Sequence, residues 1–336
     1  MTPFSKRLKE YKPLVFDGGM GTELFKNGIE LANSSVASLQ FPDVVKEIHS
    51  SYIKAGSDVI GTNTFVASEL HLKMAGVDIR DIDKIVEHAV GCAHDAIGKS
   101  NGDIYLAGTI GPCPGAIEAD SGDVEFGIPN QVVRRSYERL GSSLASAGVD
   151  FFCLETMFSA KEAAIAVDSL RNFGLPIAVN LTYKYTEDRL TGEVVYRTDW
   201  GHSALDLIDF MQSGEFSNGL DLLNEIALIG LNCGAESKRV EHTGMPYAIN
   251  GICQLNKAME IRNLTKKRMM VYPNAGPPLL DNDQRTFYSQ TPKEMAAKIP
   301  HLLDAGAYFL GGCCGTGPDH IKEYRNAIDL YYENRF

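Results

Sequence analysis

Eight short apolar runs, each ending in glycine or polar residues and most of them separated by a stretch of helical periodicity, constrain this chain more than any other feature. They fall at residues 14–19, 59–65, 105–112, 151–157, 177–183, 226–234, 268–276 and 308–315. Several are nearly continuous in apolar residues, as strands buried on both faces of a parallel sheet must be. The order is β then α, repeated. Eight such units with no composition break and no linker rich in Pro, Gly or Ser predict a closed (β/α)8 TIM barrel, α/β in class, as a single domain over residues 1–336.

The helices carry their own signals. Residues 42–56 place Val44, Val45, Ile48, Tyr52 and Ile53 on one face. Ser159-Ala160-Lys161-Glu162 and Thr291-Pro292-Lys293-Glu294 have capping-box spacing, the second with Pro292 at the first helical position. Ala55-Gly56, Ala147-Gly148 and Ala305-Gly306 each close a helical stretch shortly before a strand, as equivalent joints should. Residues 119–130 and 184–201 exceed ordinary βα-loop lengths and are expected to extend the rim of the C-terminal face or to form a lid.

In such a barrel the chemistry sits where strands end. There the chain presents Asp17-Gly18-Gly19, Thr62-Asn63-Thr64, Gly111-Pro112, Glu155-Thr156, Asn232-Cys233, Asn274-Ala275-Gly276 and Gly312-Cys313-Cys314. Cys233 on the sixth strand and Cys313 with Cys314 on the eighth would bring three thiols to one rim. Neighbouring strand residues point to opposite faces, so two adjacent cysteines meet one metal only if the strand is ending in a turn, which Gly311, Gly312 and Gly315 permit. Three thiolates leave one tetrahedral position open, the catalytic pattern for zinc; a redox pair is the competing reading. The other cysteines, Cys92, Cys113, Cys153 and Cys253, read as small buried hydrophobes.

An open position among soft ligands suits a substrate thiol. A free thiol titrates near 8.5 and is only a few per cent thiolate at pH 7, a deficit of about 2 kcal/mol that a metal removes. The expected chemistry is S-alkylation. For an amino-acid thiol, Asp17 and Glu155 could accept from the ammonium, and backbone N–H groups of the 18–22 turn could receive the carboxylate. The plainer readings are an Asx-turn or helix cap for Asp17 and a rim salt bridge for Glu155.

Composition narrows the partners. A net charge of −11 argues against nucleic acid and an anionic membrane surface, leaving a small or zwitterionic ligand. Residues 1–12 are charged and lack an apolar core, and no apolar run approaches a membrane span, so a cytoplasmic protein is expected. Seven cysteines in a chain of 336 residues read as reduced thiols. The eight histidines show no H-x-H or H-E-x-x-H spacing, which makes a metal-assisted barrel hydrolase or lyase a weak third reading.

The blocks Asp17-Gly18-Gly19-Met20-Gly21-Thr22, Ala55-Gly56-Ser57-Asp58, Thr62-Asn63-Thr64-Phe65, Gly111-Pro112, Leu154-Glu155-Thr156, Gly230-Leu231-Asn232-Cys233, Pro273-Asn274-Ala275-Gly276 and Gly311-Gly312-Cys313-Cys314-Gly315-Thr316 stand in the order in which the homocysteine S-methyltransferase family carries them. By these the chain resembles that family nearly end to end, including the homocysteine-binding barrel that forms the first module of cobalamin-dependent methionine synthase. The resemblance implies zinc on Cys233, Cys313 and Cys314, homocysteine as methyl acceptor, and methionine biosynthesis as the setting. It implies that Asp17 and Glu155 hold the amino group, that the turn with Gly18, Gly19 and Thr22 receives the carboxylate, and that Thr62 and Asn63 line the pocket. Asn274 is offered as a fourth metal ligand before substrate arrives; turn stabilisation is its plainer role.

For the methyl donor the resemblance points two ways. Thr62-Asn63-Thr64-Phe65 resembles the methionine synthase module, and Gly111-Pro112-Cys113-Pro114-Gly115 departs from the G-P-Y-G-A block of S-methylmethionine users. No D-x-H-x-x-G cobalamin motif occurs, so a methylcorrinoid would arrive on a separate protein. S-methylmethionine, S-adenosylmethionine and betaine are the other donors of the family. A non-catalytic barrel subunit holding a corrinoid protein or a metal is the alternative from a different class.

Overall fold

The computed structural model describes residues 2–100, 102–234, 239–282 and 285–333. Its wall is eight parallel strands: β1 (Leu14–Val15), β2 (Val59–Gly61), β3 (Tyr105–Ile110), β4 (Phe151–Met157), β5 (Ile177–Leu181), β6 (Ile226–Cys233), β7 (Arg268–Pro273) and β8 (Ala307–Leu310). From β2 to β8 each strand pairs with the next, and β8 pairs back onto β1 with Leu14 opposite Phe309. Helices cover the outside, so the single-domain (β/α)8 expectation holds, as a nearly closed barrel. Among the described residues no helix is long and apolar enough to cross a membrane.

Alternation along the strands divides two cores. Leu14, Phe16, Val59, Tyr105, Ala107, Phe151, Cys153, Ala178, Leu228, Met270, Tyr272 and Phe309 fill the barrel interior, whereas Val15, Ile60, Leu106, Phe152, Leu154, Val179, Ile229 and Val271 pack outward against the helices. The N-terminal helix Phe4–Arg7, which no sequence signal announced, joins the inner core: Phe4 stacks on Phe151 with ring centroids 4.1 Å apart.

The seam between β1 and β2 is closed by aspartates, because β1 is only two residues long. Asp58 N–H donates to Val15 O and Val15 N–H donates to Asp58 Oδ2, both at 2.8 Å, while Gly61 N–H donates to Asp17 Oδ2 at 2.8 Å. Arg325, from the last helix (Pro318–Glu333), pairs with Asp58 and donates to Gly56 O at 3.0 and 2.9 Å.

Most sequence boundaries need trimming at the C-terminal ends. The runs at 14–19, 59–65 and 308–315 are strand only to Val15, Gly61 and Leu310; the next N–H groups, of Phe16, Thr62 and Gly311, still reach Leu310, Ala107 and Val271 on neighbouring strands before glycine-rich turns take over. Helix Pro42–Ala55 has Pro42 in its first turn, buries Val45, Ile48 and Tyr52, and stops at Gly56 with φ 105°. Gly148 and Gly306 repeat that left-handed joint at 91° and 97°. Thr291 and Glu294 form the full capping box; Ser159 caps its helix alone, because Glu162 turns away into the protein.

Both long loops extend from C-terminal strand ends. Residues 119–130 are braced by a bridge between Ile117 and Ile128, and 184–201 contains an antiparallel hairpin, Lys184–Glu187 with Val194–Arg197. A second hairpin, Pro278–Leu280 with Thr286–Tyr288, follows β7 without a sequence expectation. Cys92, Cys113 and Cys153 are buried as expected, but Cys253 is exposed on the helix Gly244–Ile261, whose apolar face points elsewhere.

Candidate active site

β6 delivers Cys233 at its last position, and the chain leaves β8 through Gly311 and Gly312 into a turn that carries Cys313 and Cys314. The turn is pinned on every side. Cys313 N–H donates to Pro273 O at 2.9 Å, Cys314 N–H to Asn274 Oδ1 at 3.0 Å, and Gly315 N–H to Thr22 Oγ1 at 2.9 Å. Gly315 has φ 80°, and a Cβ there would come within 2.2 Å of the Tyr288 ring, so only glycine fits under that side chain. At Gly312 a Cβ would lie 2.2 Å from Thr316 Oγ1. Tyr52 reaches from its helix to donate to Thr316 O at 3.1 Å, tying the turn to the outer layer.

The consequence is that three sulfurs remote in sequence lie within 4.8 Å of one another, with Cys313 and Cys314 4.0 Å apart. Tetrahedral zinc with sulfur at about 2.3 Å would need sulfur–sulfur separations of about 3.8 Å. The donor set therefore fits such an ion after a small contraction. Crowding also splits the titration of the thiols: bonds from Cys233 and Cys313 hold Cys314 well below the ordinary thiol range, and the bond with Cys233 pushes Cys313 well above it. Asn274 Nδ2 lies 3.5 Å from Cys233 Sγ, while its Oδ1 is engaged by Cys314 N–H.

Beside the thiols is a cavity of about 250 Å³, lined by Asp17, Gly18, Gly19, Thr22, Thr62, Asn63, Glu155, Cys233, Cys313 and Cys314 among others. That is room for a small metabolite, below the ~300–1,000 Å³ of drug-sized pockets. Every candidate substrate- or metal-binding residue except Asn274 lines it. Asn274 sits buried behind the cysteines.

The two carboxyl groups there are strongly perturbed. Burial pushes Glu155 up to about 8, against a bond from Tyr272 that favours the charged form, and Cys233 adds to the rise. Burial also raises Asp17 well above the carboxylate range despite its bond from Gly61 N–H, and Glu155 adds repulsion. Two acids this costly to ionise suit a site completed by a cation.

The remaining polar groups differ in what they can offer a ligand. Gly19 N–H is already bonded to Thr316 O at 3.0 Å. Met20, Gly21 and Thr22 form the first turn of the helix Met20–Lys26, where N–H groups have no intrahelical acceptor, and Gly19 supplies no capping side chain. Thr62 Oγ1 accepts from Thr109 N–H at 3.1 Å and contacts Thr64 Oγ1 at 2.6 Å. Asn63 Nδ2 donates to Ser34 O at 2.8 Å and Ser38 Oγ at 3.1 Å, so both residues shape the wall through bonds already made.

A sequence profile of the homocysteine S-methyltransferase family matches residues 14–328. The chain belongs to the homocysteine S-methyltransferase family. Maize homocysteine S-methyltransferase 4 is 24% identical over 341 residues, covering 94% of this chain and 89% of the maize protein. Among solved structures, the metallated form of the homocysteine methyltransferase MmuM from Escherichia coli superposes with a TM-score of 0.70 at 20% identity, over 97% of this chain and 99% of that one. Its apo form gives 0.67 at 19% identity, over 97% and 100%. These superpositions show the shared fold, and family membership makes the chain a methyltransferase.

Sequence reading did not assign two members of the site. Tyr272, fully buried at the cavity floor, bonds to Glu155 and lies 3.5 Å from Cys153 Sγ through its hydroxyl; the inward alternation of Met270 and Tyr272 along β7 was the available signal. Tyr288, on the second hairpin, bonds to the Cys314 thiol. No local pattern foretold that contact.

Proposed function

We propose that this methyltransferase forms methionine by attack of the homocysteine sulfur on a methyl donor, with zinc held by Cys233, Cys313 and Cys314. The observation that carries this reading is the convergence of three thiols beside two protonation-prone carboxyl groups in one small cavity. When bound, the metal would supply the charge that converts the substrate thiol to a thiolate at neutral pH. Asp17 and Glu155 accept hydrogen bonds from the ammonium, whose charge offsets their own cost of ionisation. The first-turn N–H groups of Met20, Gly21 and Thr22 receive the carboxylate.

Held at both ends, the sulfur is aimed at the cavity mouth. The S–CH3 bond forms as the bond from methyl to donor breaks, the donor keeps the bonding electrons, and the thiol proton has already left to solvent. Asn274 braces Cys233 and Cys314, and its Oδ1 keeps a second lone pair for ligation before substrate arrives. Residues 1–336 act as one homocysteine-binding barrel, in a reducing compartment such as the cytoplasm that keeps the thiols available. No feature of the described site favours a non-catalytic subunit.

For the donor we favour a methylcorrinoid carried by a separate protein, on the strength of Thr62-Asn63-Thr64-Phe65 and of Cys113 in place of an aromatic residue. Zinc-loaded protein incubated with homocysteine and, separately, methylcobalamin, S-methylmethionine, S-adenosylmethionine or betaine tests this by methionine formation. Turnover with methylcobalamin supports the corrinoid reading. Turnover with a sulfonium donor or betaine alone would replace it.

A further inference from the structure

Thr156 and Cys233 are non-glycine residues held at φ 59° and 58°, a left-handed conformation that side chains other than glycine adopt only at a cost. One follows Glu155 at the end of β4, and the other is the first of the three thiols at the end of β6. The Asn232 side chain joins these two strand ends. Its Oδ1 accepts from Thr156 N–H at 2.7 Å, and its Nδ2 donates to Thr156 Oγ1 at 2.8 Å and points at Cys313 Sγ, 3.9 Å away.

The orientation of the amide is forced, since a backbone N–H can only donate and therefore selects the oxygen. Asn232 is itself fully buried, and its carbonyl accepts from Tyr247 Oη at 3.2 Å, which in turn accepts from Tyr183 N–H at 3.1 Å. A single side chain thus connects the carboxylate end of the cavity to the sulfur end, and its backbone carbonyl is anchored from behind by Tyr247 of the helix Gly244–Ile261 and by the segment that follows β5.

We propose that Asn232 is a positioning residue that sets the separation between the Glu155 carboxylate and the thiol cluster, and thereby selects an amino-acid thiol with two methylenes between Cα and sulfur over cysteine, which has one. The inference rests on the two-ended substrate seat proposed above. Removing one methylene shortens the ligand by about one C–C bond, ~1.5 Å, beyond the ~0.5 Å tolerance within which a working site holds its groups. A rigid spacer turns that shortfall into lost affinity; a loosened one lets the two ends approach each other.

The test is calorimetric titration of zinc-loaded wild type, N232S and T156A with L-homocysteine and with L-cysteine, alongside bound zinc per chain. T156A removes only the hydroxyl partner and guards against a folding failure of the first variant. In the variants zinc content should stay at the wild-type level, homocysteine should bind about tenfold more weakly, and the preference for homocysteine over cysteine should fall about tenfold, within the 10–200-fold range of one methylene. An unchanged preference in both variants overturns the spacer role. Loss of zinc together with preference also overturns it, by making Asn232 a support of the metal site. Wild type that takes up zinc yet binds no homocysteine overturns the substrate seat and the inference with it.

Discussion

Glu155 is an acid largely withdrawn from water that still lines the cavity open to a ligand. Its carboxyl, pushed up to about 8 by burial, must be ionised to hold an ammonium, so homocysteine should bind more weakly as pH falls. A bound dication lowers the onset below 8. We expect the homocysteine KM to rise on acidification in wild type, and E155Q to start about 10–100-fold higher with most of that pH dependence removed and zinc retained. KM measured from pH 6 to 9 checks this; parallel profiles would deny Glu155 the role. The cysteines were legible in the sequence because glycine-flanked vicinal thiols make poor core. Asn232 and Tyr272 were not, since their roles depend on which strand faces which across the barrel.

At the scale of elements, the helix Ala160–Leu170 is docked by a buried acid. Glu162 Oε1 accepts from Cys113 N–H at 2.6 Å and from Tyr137 Oη at 2.7 Å, and burial raises its carboxyl to about 7. The folded chain therefore binds a proton more tightly than the unfolded chain, whose glutamate titrates near 4.3. Stability from this group is complete below that value and is lost as pH rises through about 7. E162Q keeps the acceptor and removes the titration, so relative to wild type it should gain up to about 3 kcal/mol between pH 4.5 and 8. Chemical denaturation at both pH values reads the difference; an equal effect at both would show that Glu162 is not protonated in the fold. The same residue shows why capping-box spacing misled at Ser159: the spacing permits the reciprocal bond, but a tertiary partner outcompetes it. Strand positions were readable from apolar runs, whereas their ends were not, because glycine-rich turns continue the run while their N–H groups bond elsewhere. The hairpin after β7 escaped for a related reason, since Leu279, Leu280 and Phe287 are exposed and show no buried alternation.

The whole barrel depends on a seam where the shortest strand is supplemented by side chains. Arg325 joins the last helix to Asp58 and Gly56, and Asp58 in turn binds the β1 backbone. R325A should cost about 2 kcal/mol, with the pair partly exposed and so below the 3–5 of a fully buried one, lowering Tm by roughly 3 °C in a chain of 336 residues. Thermal denaturation unchanged in R325A would show that the seam closes without this contact. Eight β-then-α units made the closed fold legible, but this seam was not, because Asp58 and Arg325 are 267 residues apart. Closure matters to function because it sets Asp17, on one side of the seam, against the cysteine turn that follows β8. Whether Cys233, Cys313 and Cys314 hold the metal on which methyl transfer depends is read from zinc content and methionine formation in wild type, chelated and zinc-restored protein, and C313A. About one zinc per chain is expected in wild type, with loss of activity on chelation, recovery on zinc, and less than a thousandth of wild-type activity in C313A, on the order of 4 kcal/mol or more of transition-state stabilisation. Full methionine formation by metal-free wild type or by C313A would contradict that dependence.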